Sequence, residues 1–389
     1  MPFSLYVHIP YCLVKCPYCD FNAYGGRSWP EERYLDALCA ELQSALEQPV
    51  WQDKQKDGQQ NTQIETIYFG GGTPSLFAPA SIDRFLRLVS TLCQLTPELE
   101  ITLEADPASV TKETLGGFRA VGVNRLSLGV QSFQANLLKT LGRLHTPQDA
   151  LQAISWAREA GFSNLNIDIM FAVPGQTTAL LADDLSRAFS CTPEHISIYN
   201  LTYEEHTPFF SQRQKGQLQP VAEDAEIGMY GQIQAACRVH DYQHYEISNF
   251  ARPGFSSQHN TRYWTGASYL GLGAGAHSFT REPDWGMRWS NERNPKTYMD
   301  KALSYGSTRS FEETLTRDQA VGEFLFLNLR QLHGFDPHAF TQRFGMNLLK
   351  TFPQVTDFIA EGLLQEEAGR LKLTAEGLLV ADTIFATFV

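Results

Sequence analysis

Six short apolar runs, separated by helix-length segments, occupy the first half of the chain, and few folds accept that rhythm. The runs are Phe3–Ile9, Ile64–Phe69, Leu99–Glu104, Arg125–Leu128, Leu165–Met170 and His195–Tyr199; amphipathic stretches at Glu31–Gln48, Ala80–Leu95, Pro147–Ala160 and Ala179–Ser190 lie between them. Strand–helix alternation of this kind predicts βαβ units and a parallel sheet. Six units can close into a barrel or stay open. In either case ligands sit at the C-terminal ends of the strands, and the motifs described below are expected at or just after such ends. At 389 residues the chain is long enough for one large α/β domain and a smaller one.

The rhythm fades after about residue 205. A Gly- and aromatic-rich stretch runs from Tyr242 to Trp289, and a helical region follows at Thr316–Leu332. Gly334–Val389 reads as helix, helix, a short strand pair at Leu364–Leu373, and helix, the order of a winged helix. The expected organisation is therefore a βα barrel core at 1–205, a barrel extension at 206–310 and a C-terminal α+β winged-helix-like domain at 311–389. Residues 311–389 hold six Lys/Arg against eleven Asp/Glu, and the whole chain carries a net charge of −12. Such a balance lacks the field that draws proteins onto nucleic acid or anionic lipid, so packing or substrate covering is the expected role of this end. Val50–Gln63 is polar and Gln-rich and reads as a solvated surface loop. No apolar run is long enough to span a membrane. Met1–Pro10 lacks the basic region and apolar core of a secretory signal, so a cytoplasmic location is expected.

Three of the seven cysteines, Cys12, Cys16 and Cys19, fall at C-x3-C-x2-C just after the first strand. The other four (Cys39, Cys93, Cys191 and Cys237) are scattered and read as small buried hydrophobes. An odd count in a large chain without export features argues for a reducing compartment rather than a disulfide framework. Thiolates are the soft ligands that iron–sulfur clusters need. Three of them on a [4Fe–4S] cluster leave one iron open to the amino and carboxylate groups of S-adenosylmethionine (SAM). An electron from the cluster can then split the sulfonium, and the protein supplies position and exclusion of solvent. The competing reading is a Cys3His zinc site with His8 as fourth ligand. Zinc ligands usually come as two separated pairs, and no second CxxC is present.

Gly70-Gly71-Gly72-Thr73-Pro74 follows the second strand, where glycines allow close backbone approach to a ligand. Together with the cysteine cluster, the segments Glu104-Ala-Asp-Pro107, Gly129-Val-Gln131-Ser-Phe133 and Asn166-Ile-Asp168 resemble the oxygen-independent coproporphyrinogen III oxidase-like family of radical SAM proteins. The resemblance is close over residues 3–280 and looser beyond. It implies a partial (β/α)6-type radical SAM barrel. It also implies roles: Tyr6 near the methionyl part of SAM, Gly72 and Thr73 on its amino end through the backbone, and Glu104 accepting from its ammonium. Arg143 would pair with the SAM carboxylate, and Gln131 and Asp168 would hold the ribose hydroxyls. Taken singly, Glu104 or Asp168 could cap a helix, and Arg143 could form a surface ion pair. His8 and His145, beside these motifs, are expected only to support them.

Two features depart from the oxidase branch: Phe21 stands where that branch has a further cysteine, and the chain starts two residues before the first strand. Both resemble the haem-chaperone branch of the family, as does His259-Asn-Thr-Arg-Tyr-Trp264, which matches its HNxxYW signature. That branch implies a haem or porphyrin cargo, with His259 as the haem ligand and Tyr and Trp as flat packing surface. A packed core histidine is the alternative. The stretch Gly271–Ser278 reads as a close-approach loop. The implied partners are a haem-protein acceptor, an electron donor such as ferredoxin or flavodoxin, and a transient membrane-complex contact. The implied function is haem binding and delivery, with oxidase turnover absent and SAM either bound or cleaved. The enzymatic alternative is oxidative decarboxylation of coproporphyrinogen III. Radical chemistry on RNA is a third reading, disfavoured by the acidic charge.

Overall fold

A computed structural model describes residues 2–51, 63–305 and 307–388; most of the Gln-rich segment expected as a solvated loop lies outside these residues. Six parallel strands form in sequence order: β1 (Phe3–Ile9), β2 (Gln63–Gly71), β3 (Gln94–Ala105), β4 (Arg125–Gln131), β5 (Leu165–Phe171) and β6 (His195–Asn200). Helices α1 (Glu31–Leu46), α2 (Pro79–Leu92), α3 (Lys112–Ala120), α4 (Ala135–Thr140), α5 (Pro147–Glu159) and α6 (Thr178–Ser190) connect them. Neighbouring strands in sequence are neighbours in space, the topology of a partial (β/α)6 barrel.

Period-2 alternation explains what faces where. Leu5, Val7, Ile67, Phe69, Leu103, Leu126, Leu128, Ile167, Ile169, Ile196 and Ile198 pack with Leu38, Phe85, Phe118, Ile154 and Leu185 of the helices in one hydrophobic core. The alternate positions are polar and meet one another inside. Tyr6 stacks on Tyr68, Tyr68 donates to Glu104, and Ser127 reaches Asp168. The helices start where local chemistry dictates. Thr111 and Thr146 close capping boxes with Thr114 and Asp149, and Thr177 accepts from the Leu180 amide. Pro147 sits at the first turn of α5, where its missing N–H costs nothing.

The six strands are the centre of a twelve-stranded sheet. The strand Tyr269–Leu272 pairs in parallel with β1 and carries His277–Thr280, Met287–Asn291 and Arg309–Thr314 beyond it, while Asn249–Ala251 and Gln243–Glu246 extend the β6 edge. The Gly271–Ser278 stretch is a close-approach loop: Gly273 has φ +102°, and a Cβ there would lie 2.3 Å from the His8 carbonyl oxygen. A second core, from Leu315 to Phe388, gathers Phe324, Phe335, Phe340 and Phe344 against the antiparallel pair Leu364–Glu367 and Arg370–Leu373. The helix Gln258–Trp264 lies beneath the barrel. Ser257 caps it, and Glu100 of β3 accepts from the amides of Gln258 and His259.

Candidate functional site

The cysteine loop leaves the C-terminal end of β1. Tyr11–Cys12 pairs with Tyr24–Gly25, which ties the loop at its base, and the Cys19 amide donates to the Cys16 carbonyl at 3.1 Å. The three thiols are partly exposed, and Cys16 and Cys19 act electrostatically on Cys12; among the described residues no three His, Cys, Asp or Glu side chains are already gathered closely enough to hold a single metal ion. Burial pushes the Cys12 thiol up to about 11 and raises that of Cys19; neighbouring cysteines add to both, while a hydrogen bond from Thr73 Oγ1 at 3.4 Å opposes the rise at Cys12. Thiols in such a place lose their protons to a metal centre rather than to water. The donor set, three thiols and no fourth protein ligand, suits a [4Fe–4S] cluster with one open iron. His8 is not available to complete a zinc site. Its Nε2 bonds the Asn22 carbonyl at 2.9 Å and its Nδ1 the Tyr6 hydroxyl at 3.0 Å, and burial pushes its pKa down to about 4.

Gly72 fits between the cysteine loop and β2 because it has no side chain. Its amide donates to the Ile9 carbonyl and that of Thr73 to the Tyr11 carbonyl, both at 2.8 Å; a Cβ on Gly72 would lie 2.7 Å from Tyr11 O and 2.9 Å from Ile9 O. With both N–H groups engaged, a backbone contact to an ammonium falls to the carbonyl oxygens. Glu104, at the end of β3, faces this loop. Its two oxygens accept from Tyr68 Oη at 2.8 Å and the Gly71 amide at 3.1 Å. Burial, reinforced by Asp168, pushes its carboxyl up to about 7. An acid in that state is stabilised by an arriving cation.

Arg143 is not a surface ion pair. It lies 11% exposed, donating from Nη2 to Asp106 Oδ2 and the Gly129 carbonyl at 2.7 Å each, and from Nη1 to Cys16 Sγ at 3.7 Å. Its cation therefore already has a carboxylate, and it touches Cys16 of the cysteine motif, a contact the sequence did not suggest. Its Nε is buried without a partner. His145 supports the pair, with Nε2 3.0 Å from the Val130 carbonyl and Nδ1 3.6 Å from Asp106. Gln131 ends β4 at φ +65°, and the Ser132 amide donates back to the Val130 carbonyl at 2.8 Å. That is a strained three-residue turn on a non-glycine residue, of the kind held at functional sites.

Asp168 sits in the middle of β5, inside the barrel, below the strand ends. Asn166 Nδ2 bonds it at 2.8 Å and Ser127 Oγ at 3.2 Å; Asn166 in turn takes His195 Nδ1 at 2.6 Å, and His195 Nε2 meets Tyr245 Oη at 2.8 Å. Burial raises the Asp168 carboxyl. Arg125 stands beside this network as a fully buried side chain, its charge acting on Glu104, Asp168 and His259. Neither Arg125 nor Tyr68 had a motif to announce it.

The segment around His259 corrects one expectation. The HNxxYW segment lies not at the C-terminal rim but at the opposite end of the barrel. Both nitrogens of the His259 ring are engaged by hydrogen bonds. It is 1% exposed, Nδ1 is 2.7 Å from Thr66 Oγ1, Nε2 is 2.9 Å from Tyr263 Oη, and burial pushes its pKa down to about 3. It is packed as a core histidine is, and binding haem iron would require one of these two hydrogen bonds to open. The same segment nevertheless presents Tyr263 and Trp264 to a cavity of about 920 Å³, bounded by Tyr269, Phe279, Phe326, Leu327 and Phe388 on the side of the C-terminal core. This volume lies in the ~300–1,000 Å³ range of small-molecule and cofactor sites.

Among known proteins, residues 6–187 match the Radical SAM superfamily and residues 315–380 the HemN C-terminal domain. The chain is 35% identical over 388 residues to the heme chaperone HemW of Bacillus subtilis, covering 99% of each. It is 34% identical over 392 residues to that of Escherichia coli, covering 100% of this chain and 98% of the relative. Radical S-adenosyl methionine domain-containing protein 1, mitochondrial, of Danio rerio is 35% identical over 402 residues, covering 99% and 86%. The solved coproporphyrinogen III oxidase (HemN) of Escherichia coli superposes with a TM-score of 0.83 at 25% identity, covering 100% of this chain and 90% of that one.

Proposed function

This chain belongs to the haem-chaperone (HemW) branch of the coproporphyrinogen III oxidase-like radical SAM family, and on that premise we propose that it binds haem and hands it to an acceptor haem protein. The observation that carries the reading is the cavity behind Tyr263 and Trp264: flat aromatic walls of a size for a tetrapyrrole, built from the signature segment itself.

A [4Fe–4S] cluster on Cys12, Cys16 and Cys19, with SAM on its open iron, would supply one-electron chemistry at the barrel rim. The chain's own groups have defined tasks there. Thr73 and Arg143 hold the Cys12 and Cys16 sulfurs in place. Glu104, positioned by Tyr68 and Gly71, accepts from the SAM ammonium. Arg143, held by Asp106, offers its remaining edge to the SAM carboxylate. Tyr6 borders the methionyl part, the Gly72 and Thr73 backbone its amino end, and Gln131 and Asp168 the ribose. Reduction of the cluster calls for an electron donor of the ferredoxin or flavodoxin kind. We place the working protein in a reducing, cytoplasmic setting, on the strength of its seven free cysteines; among the described residues no helix is long and apolar enough to cross a membrane.

The oxidase reading is favoured by the likeness to the solved HemN structure. An anaerobic assay separates the two. Reconstituted protein with SAM and reductant receives either haem plus an apo-haem protein, or coproporphyrinogen III. Transfer of haem without formation of protoporphyrinogen is expected. Protoporphyrinogen formation would make the chain an oxidase.

A further inference from the structure

A haem in the aromatic cavity brings an iron whose axial face calls for a side-chain donor, and the wall supplies few. Among the described residues no histidine, cysteine or methionine lines it; its anionic or phenolic oxygens belong to Tyr263, Tyr269, Asp318 and Glu323. Three of these four are spoken for. Tyr263 Oη lies 2.9 Å from His259 Nε2, and Glu323 takes Arg288 at 2.6 Å. Asp318 stands exposed in the first turn of the helix Arg317–Leu329, where water and the helix N-terminus satisfy its charge. Tyr269 differs. It is half-buried, and among the described residues no hydrogen bond engages its hydroxyl. The charges that act on that hydroxyl are Glu323 and Arg288, both on the cavity wall, so the oxygen faces the same space. Its ring is held edge-on to Tyr263 with centroids 4.6 Å apart and tilted against Phe279 at 6.4 Å, and its backbone is in register with Ser4 of β1 on one side and Phe279 on the other.

We propose that Tyr269 is the iron ligand of the haem cargo, its phenolate oxygen binding the ferric iron while the macrocycle lies against Trp264 and Phe279. The inference rests on the haem-carrying reading and adds to it the atom that holds the metal. Phenolate is an established haem ligand. The step is a ligand exchange in which no electron moves. Ferric haem arrives with hydroxide on its iron; the iron–hydroxide bond breaks, the iron–phenolate bond forms, and the phenol proton leaves with the hydroxide as water. Burial, with Glu323 beside it, pushes the free phenol up to about 12, so it keeps its proton until iron takes that place. An anionic oxygen is a hard donor and favours ferric over ferrous iron. One-electron reduction therefore loosens the grip, which gives a carrier a means of release.

The test titrates the full-length, cluster-reconstituted chain and its Tyr269→Phe variant with ferric haem, with dithionite-reduced haem and with iron-free protoporphyrin IX. Difference absorption, tryptophan quenching and resonance Raman scattering are the readouts. Phenylalanine keeps the ring packed on Tyr263 and Phe279 and removes only the oxygen. The ferric parent should show a long-wavelength phenolate-to-iron charge-transfer band and tyrosinate Raman modes. Tyr269→Phe should lose both, shift the Soret band and bind ferric haem at least about tenfold more weakly, while ferrous haem and the iron-free ring bind parent and variant alike. The proposal is overturned if the variant keeps the parental ferric spectrum, or if the parental spectrum is that of an imidazole ligand, which would return the iron to His259. It is equally overturned if the variant weakens all three ligands alike, since that is loss of packing rather than loss of a metal bond. If the parent binds none of the three, the haem-carrying reading itself fails, an outcome distinct from the others.

Discussion

Replacing Glu104 with glutamine should stabilise the ligand-free chain at about pH 8 while weakening its hold on SAM. The folded environment raises this carboxyl from 4.5 to about 7 through burial and the Asp168 charge. A carboxyl raised in the folded state disfavours folding above its unfolded pKa. The penalty is absent below about pH 4, grows through the window up to about pH 7 and is then constant. The rise from 4.5 to about 7 corresponds to about 3 kcal/mol. Glutamine removes that penalty but keeps one acceptor oxygen for two donors, Tyr68 Oη and the Gly71 amide. Leaving one unpaired returns about 1–2 kcal/mol, so the net gain at pH 8 is about 1–2 kcal/mol. Anaerobic urea unfolding of the apo chain at pH 8 and at pH 4 measures it. The variant should exceed the parent only at the higher pH. SAM affinity should fall about tenfold or more, the value of a hydrogen bond to a charged group, and should lose the parent's decline below pH 7. A stability difference that is the same at both pH values would refute the raised pKa, and unchanged SAM affinity would refute the role.

Cys16→Ser should lose the visible charge-transfer absorption and most bound iron; retention of about four irons per chain would remove Cys16 from the ligand set. Gly72→Ala should displace the cysteine loop, because its Cβ would press on Tyr11 O at 2.7 Å and Ile9 O at 2.9 Å. A loss of about 1–3 kcal/mol with reduced iron uptake is expected, and full iron content at parental stability would contradict the close fit. His259→Ala should cost about 2–4 kcal/mol by stranding the Thr66 and Tyr263 hydroxyls and opening a void, with the Soret position of bound ferric haem unchanged. A moved Soret band at parental stability would make His259 the iron ligand.

Periodicity carried the barrel: all six expected strands are present, each within a few residues of its predicted bounds. The extension was harder to read, for identifiable reasons. The helix Glu223–Val239 buries only Met229, Ile233 and Cys237, a stripe too thin to stand out among Gly228, Gly231 and its acids. The outer strands alternate weakly because their faces are only partly covered. At the site, Cys12, Cys16, Cys19, Gly72 and Glu104 were visible because they cluster in motifs. Arg125 was invisible because a lone arginine has no spacing to detect. His259 was visible in its signature, but its hydrogen bonds to Thr66 and Tyr263 were not. A signature marks that a residue matters, and not which of its atoms remain free.

The barrel interior carries a hydrogen-bonded network below its rim. Ser127, Asn166, Asp168, His195 and Tyr245 bond one another and form a rigid floor. The rim holds several unfavourable features: the Glu104 acid near 7, raised thiols, the strained Gln131 and the orphaned Arg143 Nε. Those are the groups that SAM and a cluster would relieve. The cavity belongs to the other end. His259 stands between it and the rim, its ring 5.0 Å from that of Tyr68, which bonds Glu104, and 5.0 Å from that of Tyr263, which lines the cavity. Hydrogen abstraction requires the reacting carbon in contact with the cleaved cofactor. A tetrapyrrole seated behind the Tyr68–His259–Tyr263 layer does not meet that condition. On the proposed reading, cargo and cofactor would lie on opposite sides of a packed aromatic layer, an arrangement that suits a carrier better than an oxidase.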